Sequence, residues 1–94
     1  MNIYLIKQMA NNDYDTFDAA VVCAENADEA RTICPQTGKI MKIKKSTQYE
    51  ITMRRFIPEN LNWCESPDQV LVVYLGNAKV GLKKGVLLSS YNAG

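Results

Sequence analysis

The order of apolar and polar positions divides this chain into short elements. Residues 2–9 (NIYLIKQM) alternate weakly and are rich in Ile, Tyr and Leu, which predicts a strand. The polar run ANNDYD at 10–15 then favours a turn, because Asn and Asp side chains bond to nearby backbone. Residues 17–24 (FDAAVVCA) are small and β-branched, as suits a second, well-buried strand. Together the two predict an antiparallel hairpin with a long loop.

The clearest local signal starts at Asn26. Asn at an N-cap with Glu29 three positions later is a variant of the capping box. Asp28 and Glu29 also put negative charge in the first turn, where the helix dipole favours it. Ala30 and Ile33 would face the sheet together, and Pro35 ends the helix because the residue before proline avoids the α region. A helix of two turns is expected.

From 36 to 45 (QTGKIMKIKK) lysines punctuate apolar residues after a turn at Gly38. Residues 48–55 (QYEITMRR) alternate cleanly: Tyr49, Ile51 and Met53 on one face, Glu50, Thr52 and Arg54 on the other. That pattern predicts a strand with one wet face, with 40–44 as a candidate hairpin partner. Residues 57–68 read as a loop, in which Ser66-Pro67-Asp68-Gln69 has the composition of a capped single turn. Residues 70–75 are the most apolar strand and are expected at the sheet centre. A glycine-spaced connection and a last strand at 86–91 follow. The fold class is α+β in one domain, 1–94. About four to five antiparallel strands carry one short helix packed on the sheet, in the order β-β-α-β-β-β.

Composition narrows the chemistry. Hydrophobic residues make up 47% and charged residues 22%, enough for a packed core. There is no histidine, which removes Ser-His and Cys-His dyads, histidine metal sites and the commonest general base near neutral pH. Cys23, Cys34 and Cys64 are odd in number, lack C-x-x-C spacing, and read as buried free thiols in a reducing compartment. The opening apolar run, Ile3 to Ile6, is shorter than the roughly 7–15 residues of a secretory signal. No window approaches the roughly 18 apolar residues of a membrane span. These features predict a cytoplasmic protein that is not an enzyme and carries no cofactor or metal.

The formal charge of +1 conceals two opposed blocks. Residues 1–30 carry one Lys against six acids, residues 31–55 seven Lys/Arg against one Glu, and the remainder balances. The candidate contact residues fall accordingly. Asp13, Asp15 and Asp18 form an acidic cluster without the glycine bend and terminal Glu of a calcium loop, so they read as a solvated tip able to meet a basic partner. Lys39, Lys42, Lys44, Lys45, Arg54 and Arg55 form a basic segment able to track phosphates or an acidic surface. Trp63 is either the anchor of a long loop or an interface hot spot. The spacing of Gly76 and Gly81 resembles a phosphate loop, but Leu82-Lys83 follows where Lys-Ser/Thr is required, so a turn is the better account.

Three segments carry a resemblance. They are DYDTFDAAVVCA at 13–24 with Glu29-Ala30-Arg31, WCESPDQV at 63–70, and GVLLSSYNAG at 85–94. Together they are similar to a group of very small proteins encoded in tailed phages and prophages. The resemblance covers about a third of the chain and leaves out the Lys39 to Arg55 region. It implies a phage gene product in the host bacterial cytoplasm, and no catalytic residue transfers with it. The expected function is a small binding protein that inhibits or modulates a host protein machine or ribonucleoprotein by surface contact, an anti-CRISPR role being one form. The alternative is a nucleic-acid-binding module using the basic segment. A homodimer is compatible with either reading, and a membrane partner is not expected.

Overall fold

The computed structural model describes residues 1–10, 16–57 and 63–92, with 91 and 92 described in their backbone only. The elements run β1 (Asn2–Lys7), β2 (Thr16–Ala24), α1 (Ala27–Ala30), β3 (Lys42–Gln48), β4 (Ile51–Ile57), a 3-10 turn (Pro67–Gln69), β5 (Leu71–Asn77) and β6 (Gly85–Asn92). The fold is mostly antiparallel β with one short helix. Among the described residues six strands form two sheets: four strands in the order β5-β1-β2-β6, and a separate ribbon of β3 and β4.

The β1–β2 hairpin is present, with Tyr4 opposite Val22 and Ile6 opposite Ala20. These four side chains lie on one face and are buried. Over that face sit Ala30, Ile33 and Cys34 from the helical segment, Met41 and Phe56 from the base of the ribbon, and Trp63, Cys64 and Val70 from the connection to β5. The helix is shorter than its sequence predicts. Asn26 caps it by accepting from the Glu29 amide at 2.8 Å, and the Glu29 carboxylate accepts from the Glu25 amide at 3.0 Å. The chain then tightens: Thr32 and Ile33 donate to Glu29 and Ala30, and the Thr32 hydroxyl donates to the Glu29 carbonyl. Ile33 next pairs with Ile40 in an isolated bridge, which leaves a single α turn.

Two further corrections concern the sheet. There are two strands on the ribbon rather than one, so the order is β-β-α-β-β-β-β. The apolar segment expected at the centre is β5, and it lies at an edge, bonded only to β1. One of its faces is covered at Val72, which packs against the core, while Tyr74, its ring 5.8 Å from that of Tyr4, is 52% exposed. Its other face is open, with Leu71 57% and Val73 40% exposed. A continuous apolar run therefore marks two apolar faces here, not two covered ones. The 3-10 turn at Pro67 has the capping box its sequence predicts, with Ser66 and Gln69 each bonding the other's end.

Candidate functional site

Of the residues expected to contact a partner, the ribbon gathers five. Lys44 stands opposite Arg55 and Lys45 opposite Arg54, with Lys42 opposite Ile57 at the base. Because side chains alternate along a strand, the first two pairs lie on opposite faces. Phe56 decides which face turns inward. It is buried, its partner Ile43 packs beside it, and residues two apart share a face, so Lys45, Arg54, Thr47 and Thr52 belong to the inner side.

This reverses the face assignment expected from 48–55. Ile51 is 64% and Met53 47% exposed, whereas Arg54 turns in and forms an ion pair with Asp68 beside the 3-10 turn. The guanidinium of Arg54 holds Asp68 below the usual carboxylate range, against the opposing effect of burial and with help from the Ser66 hydroxyl and the charge of Arg31. The sequence pattern stops at Arg55, one residue short of the aromatic that anchors the strand. A shift of one residue moves every side chain to the other face.

The outer face carries Lys42, Lys44 and Arg55 near the base and Met53 and Ile51 toward the tip. Among the described residues, none of these cations nor Lys45 makes an ion pair with a carboxylate. Like charges directly across a strand pair are destabilising, and the Lys44–Arg55 pair is fully subject to this. At the tip, Tyr49 (φ 52°) and Glu50 (φ 65°) form a two-residue turn between the paired Gln48 and Ile51. Such turns need positive φ at both central residues and normally use Asn or Gly, so Tyr and Glu are costly choices. Tyr49 is 88% exposed. The ribbon is thus a strained, self-repelling element that presents cations, apolar side chains and an aromatic tip to solvent.

The remaining residues fall elsewhere. Asp13 and Asp15 lie outside the described residues. Asp18 is exposed on β2 in the four-stranded sheet, where its carbonyl accepts the Gln8 amide at 3.0 Å. Lys39 is exposed in the turn before the ribbon and shares a shallow groove with Lys83 and Lys84. The latter two were not picked out by sequence reasoning, although their adjacency in a glycine-spaced segment was a usable signal. Lys84 pairs with Glu29 at 3.0 Å.

Of the two readings of Trp63, its burial favours the loop anchor over a surface contact: it is 3% exposed and belongs to the core. Arg31, at the start of the basic block, is also committed internally. Its guanidinium donates to the Pro67 and Val70 carbonyls and ties the helical segment to the 3-10 turn. Cys23, Cys34 and Cys64 are free and buried. Burial pushes the Cys64 thiol up to about 12, partly opposed by hydrogen bonding from the backbone of Cys64 and Ser66, so it carries almost no thiolate at neutral pH. Among the described residues no helix is long and apolar enough to cross a membrane. No family model matches the chain, and neither a curated protein nor a solved structure is significantly similar to it.

Proposed function

We propose that this protein is a non-enzymatic binding protein that modulates a host bacterial protein machine or ribonucleoprotein, with the outer face of the β3–β4 ribbon as its contact element. The observation that carries the reading is the Lys44–Arg55 juxtaposition on a solvent-exposed ribbon, with no carboxylate paired to either among the described residues. Two like charges held opposite one another weaken the free protein and become favourable when an anionic surface lies across both. The resemblance to small tailed-phage proteins supports a partner from the bacterial host, anti-defence inhibition being one form of that role.

A second reading, direct binding of nucleic acid, is favoured by the mixture on the same face. Cations that follow a backbone, alternating with apolar and aromatic positions on which bases can stack, suit a single strand. Affinity capture from a bacterial lysate separates the two when wild type is compared with Lys44→Glu/Arg55→Glu. A defined protein or ribonucleoprotein complex that is retained by wild type and lost by the double variant is the expected result. Capture of free nucleic acid alone would establish the second reading, with affinity falling on the order of 10- to 100-fold over a fourfold rise in salt for three or four phosphate contacts. Capture that does not change between the two proteins would overturn both.

A further inference from the structure

Two glycines bring a second set of lysines together. Gly38 ends the turn begun at Pro35 with φ 74°, and Gly85 opens β6 with φ 139°, angles that L side chains rarely adopt. The two segments touch there: a Cβ on Gly85 would lie 3.5 Å from the Gly38 carbonyl oxygen, and one on Gly38 3.6 Å from the Val86 amide nitrogen. Contact at that distance is ordinary, so the backbone angles and not the space call for glycine. Lys39 follows the first glycine, Lys83 and Lys84 precede the second, and all three line the shallow groove between the segments. We infer that this groove holds the phosphodiester backbone of a nucleic acid without reading its bases.

Charge gives the sign of the occupant. All three lysines are exposed, and the residues that line the groove include no carboxylate. Lys84 donates at 3.0 Å to Glu29, which stands outside the lining, so its charge is already answered. Among the described residues neither Lys39 nor Lys83 is paired with an acid. The turn that carries Lys39 is fixed by its backbone. The Gly38 amide donates to the Cys34 carbonyl at 2.8 Å, and the amide of the buried Cys34 donates to the Lys39 carbonyl at 2.9 Å. Two unanswered ammonium groups are therefore anchored on adjoining backbones, where an anion lying between them is favoured.

The donors give the kind of anion. The Gly38 amide is spent on Cys34, and the Lys39 amide donates to the Thr37 hydroxyl at 3.2 Å. Neither can cradle a single phosphate as the amides of a phosphate-binding loop do. Lysine is what remains, a point charge that meets phosphate from many directions. No aromatic lines the groove, so no base stacks in it. Lysine is depleted at protein interfaces and ordinary at phosphate contacts, which favours a nucleic acid backbone over an acidic protein surface. The groove shares no lining residue with the outer face of the ribbon, so the inference stands apart from the function proposed above.

Fluorescence anisotropy with a labelled oligothymidine of about 16 nucleotides, the upper site size of one small fold, tests this over a salt series. Wild type should bind. Lys39→Gln with Lys83→Gln should weaken binding on the order of tenfold and lower the slope of log affinity against log salt by about 1.4, at about 0.7 per lost contact on a single strand. Both side chains are exposed, so the far-ultraviolet dichroism should stay that of wild type. The ribbon variant Lys44→Glu/Arg55→Glu should still bind and should show the same loss when the two groove substitutions are added. Absence of wild-type binding at low salt would overturn the proposal, as would a groove variant that binds like wild type. Binding abolished by the ribbon substitutions alone would assign the strand to the ribbon and overturn the groove. Displacement of the oligonucleotide by poly-glutamate at equal charge concentration would do so too, since the groove would then take any acidic chain.

Discussion

Lys44 and Arg55 are direct cross-strand partners on the outer face of the β3–β4 ribbon, and among the described residues neither meets a carboxylate. The ribbon thus gives up stability to keep two cations side by side. Lys44→Glu converts the repulsion into attraction. It should stabilise the ribbon by about 0.2–1 kcal/mol while weakening capture of the partner at least tenfold. Thermal unfolding and affinity capture of one variant read the two effects, and movement of both in the same direction would separate the pair from binding.

The tip makes a second prediction. Tyr49 and Glu50 both have positive φ, a conformation that Asn-Gly adopts with little strain. Tyr49→Asn with Glu50→Gly should relieve about 1–3 kcal/mol. Slower amide exchange at Ser46 and Met53 is the appropriate readout, because that pair exchanges ladder hydrogen bonds and the ribbon can open without the main sheet unfolding. If the partner uses the exposed Tyr49 ring, the same variant will bind more weakly despite its better-formed turn.

Trp63 is a stability residue in this structure. Truncating a buried Trp to Ala costs about 3–5 kcal/mol, a large share of the roughly 5–15 kcal/mol that holds a domain together. Trp63→Ala should be largely unfolded or melt far below wild type, whereas Trp63→Phe should fold with a modestly reduced midpoint. Being the only tryptophan, Trp63 also reports its own burial. Its emission should be blue-shifted in the native state and move to the red on unfolding, and a native emission typical of exposed indole would contradict the burial.

The ion pair of Glu29 with Lys84 ties α1 to the segment before β6. Partial burial raises the Glu29 pKa, but the Glu25 amide and the Lys84 ammonium together hold it below the usual carboxylate range. A depressed folded value means that the stabilisation is complete above the unfolded value of about 4.3 and is lost as pH falls through the folded value. The melting temperature should therefore be flat with respect to Glu29 above about pH 5 and decline below it. Glu29→Gln should lose at most about 1 kcal/mol at neutral pH and show a shallower acid decline. An acid decline equal to that of wild type would remove Glu29 as its source.

Local signals in the sequence determined the β1–β2 hairpin, the Asn26 cap, the capped turn at Ser66 and the burial of the cysteines. Each depends on backbone chemistry or composition within a few residues. They also determined that lysines and arginines cluster between Lys39 and Arg55. Tertiary structure alone decided which of them can be used together. Phe56 anchors the ribbon and turns Arg54 inward to Asp68 and Arg55 outward beside Lys44. Arg31 is spent on backbone carbonyls, and Lys39 lies in a different groove. Tertiary structure also placed the most apolar strand at an edge with one face bare. Periodicity tells which side chains share a face. What lies against that face depends on contacts between residues far apart in the chain, and no local pattern encodes them.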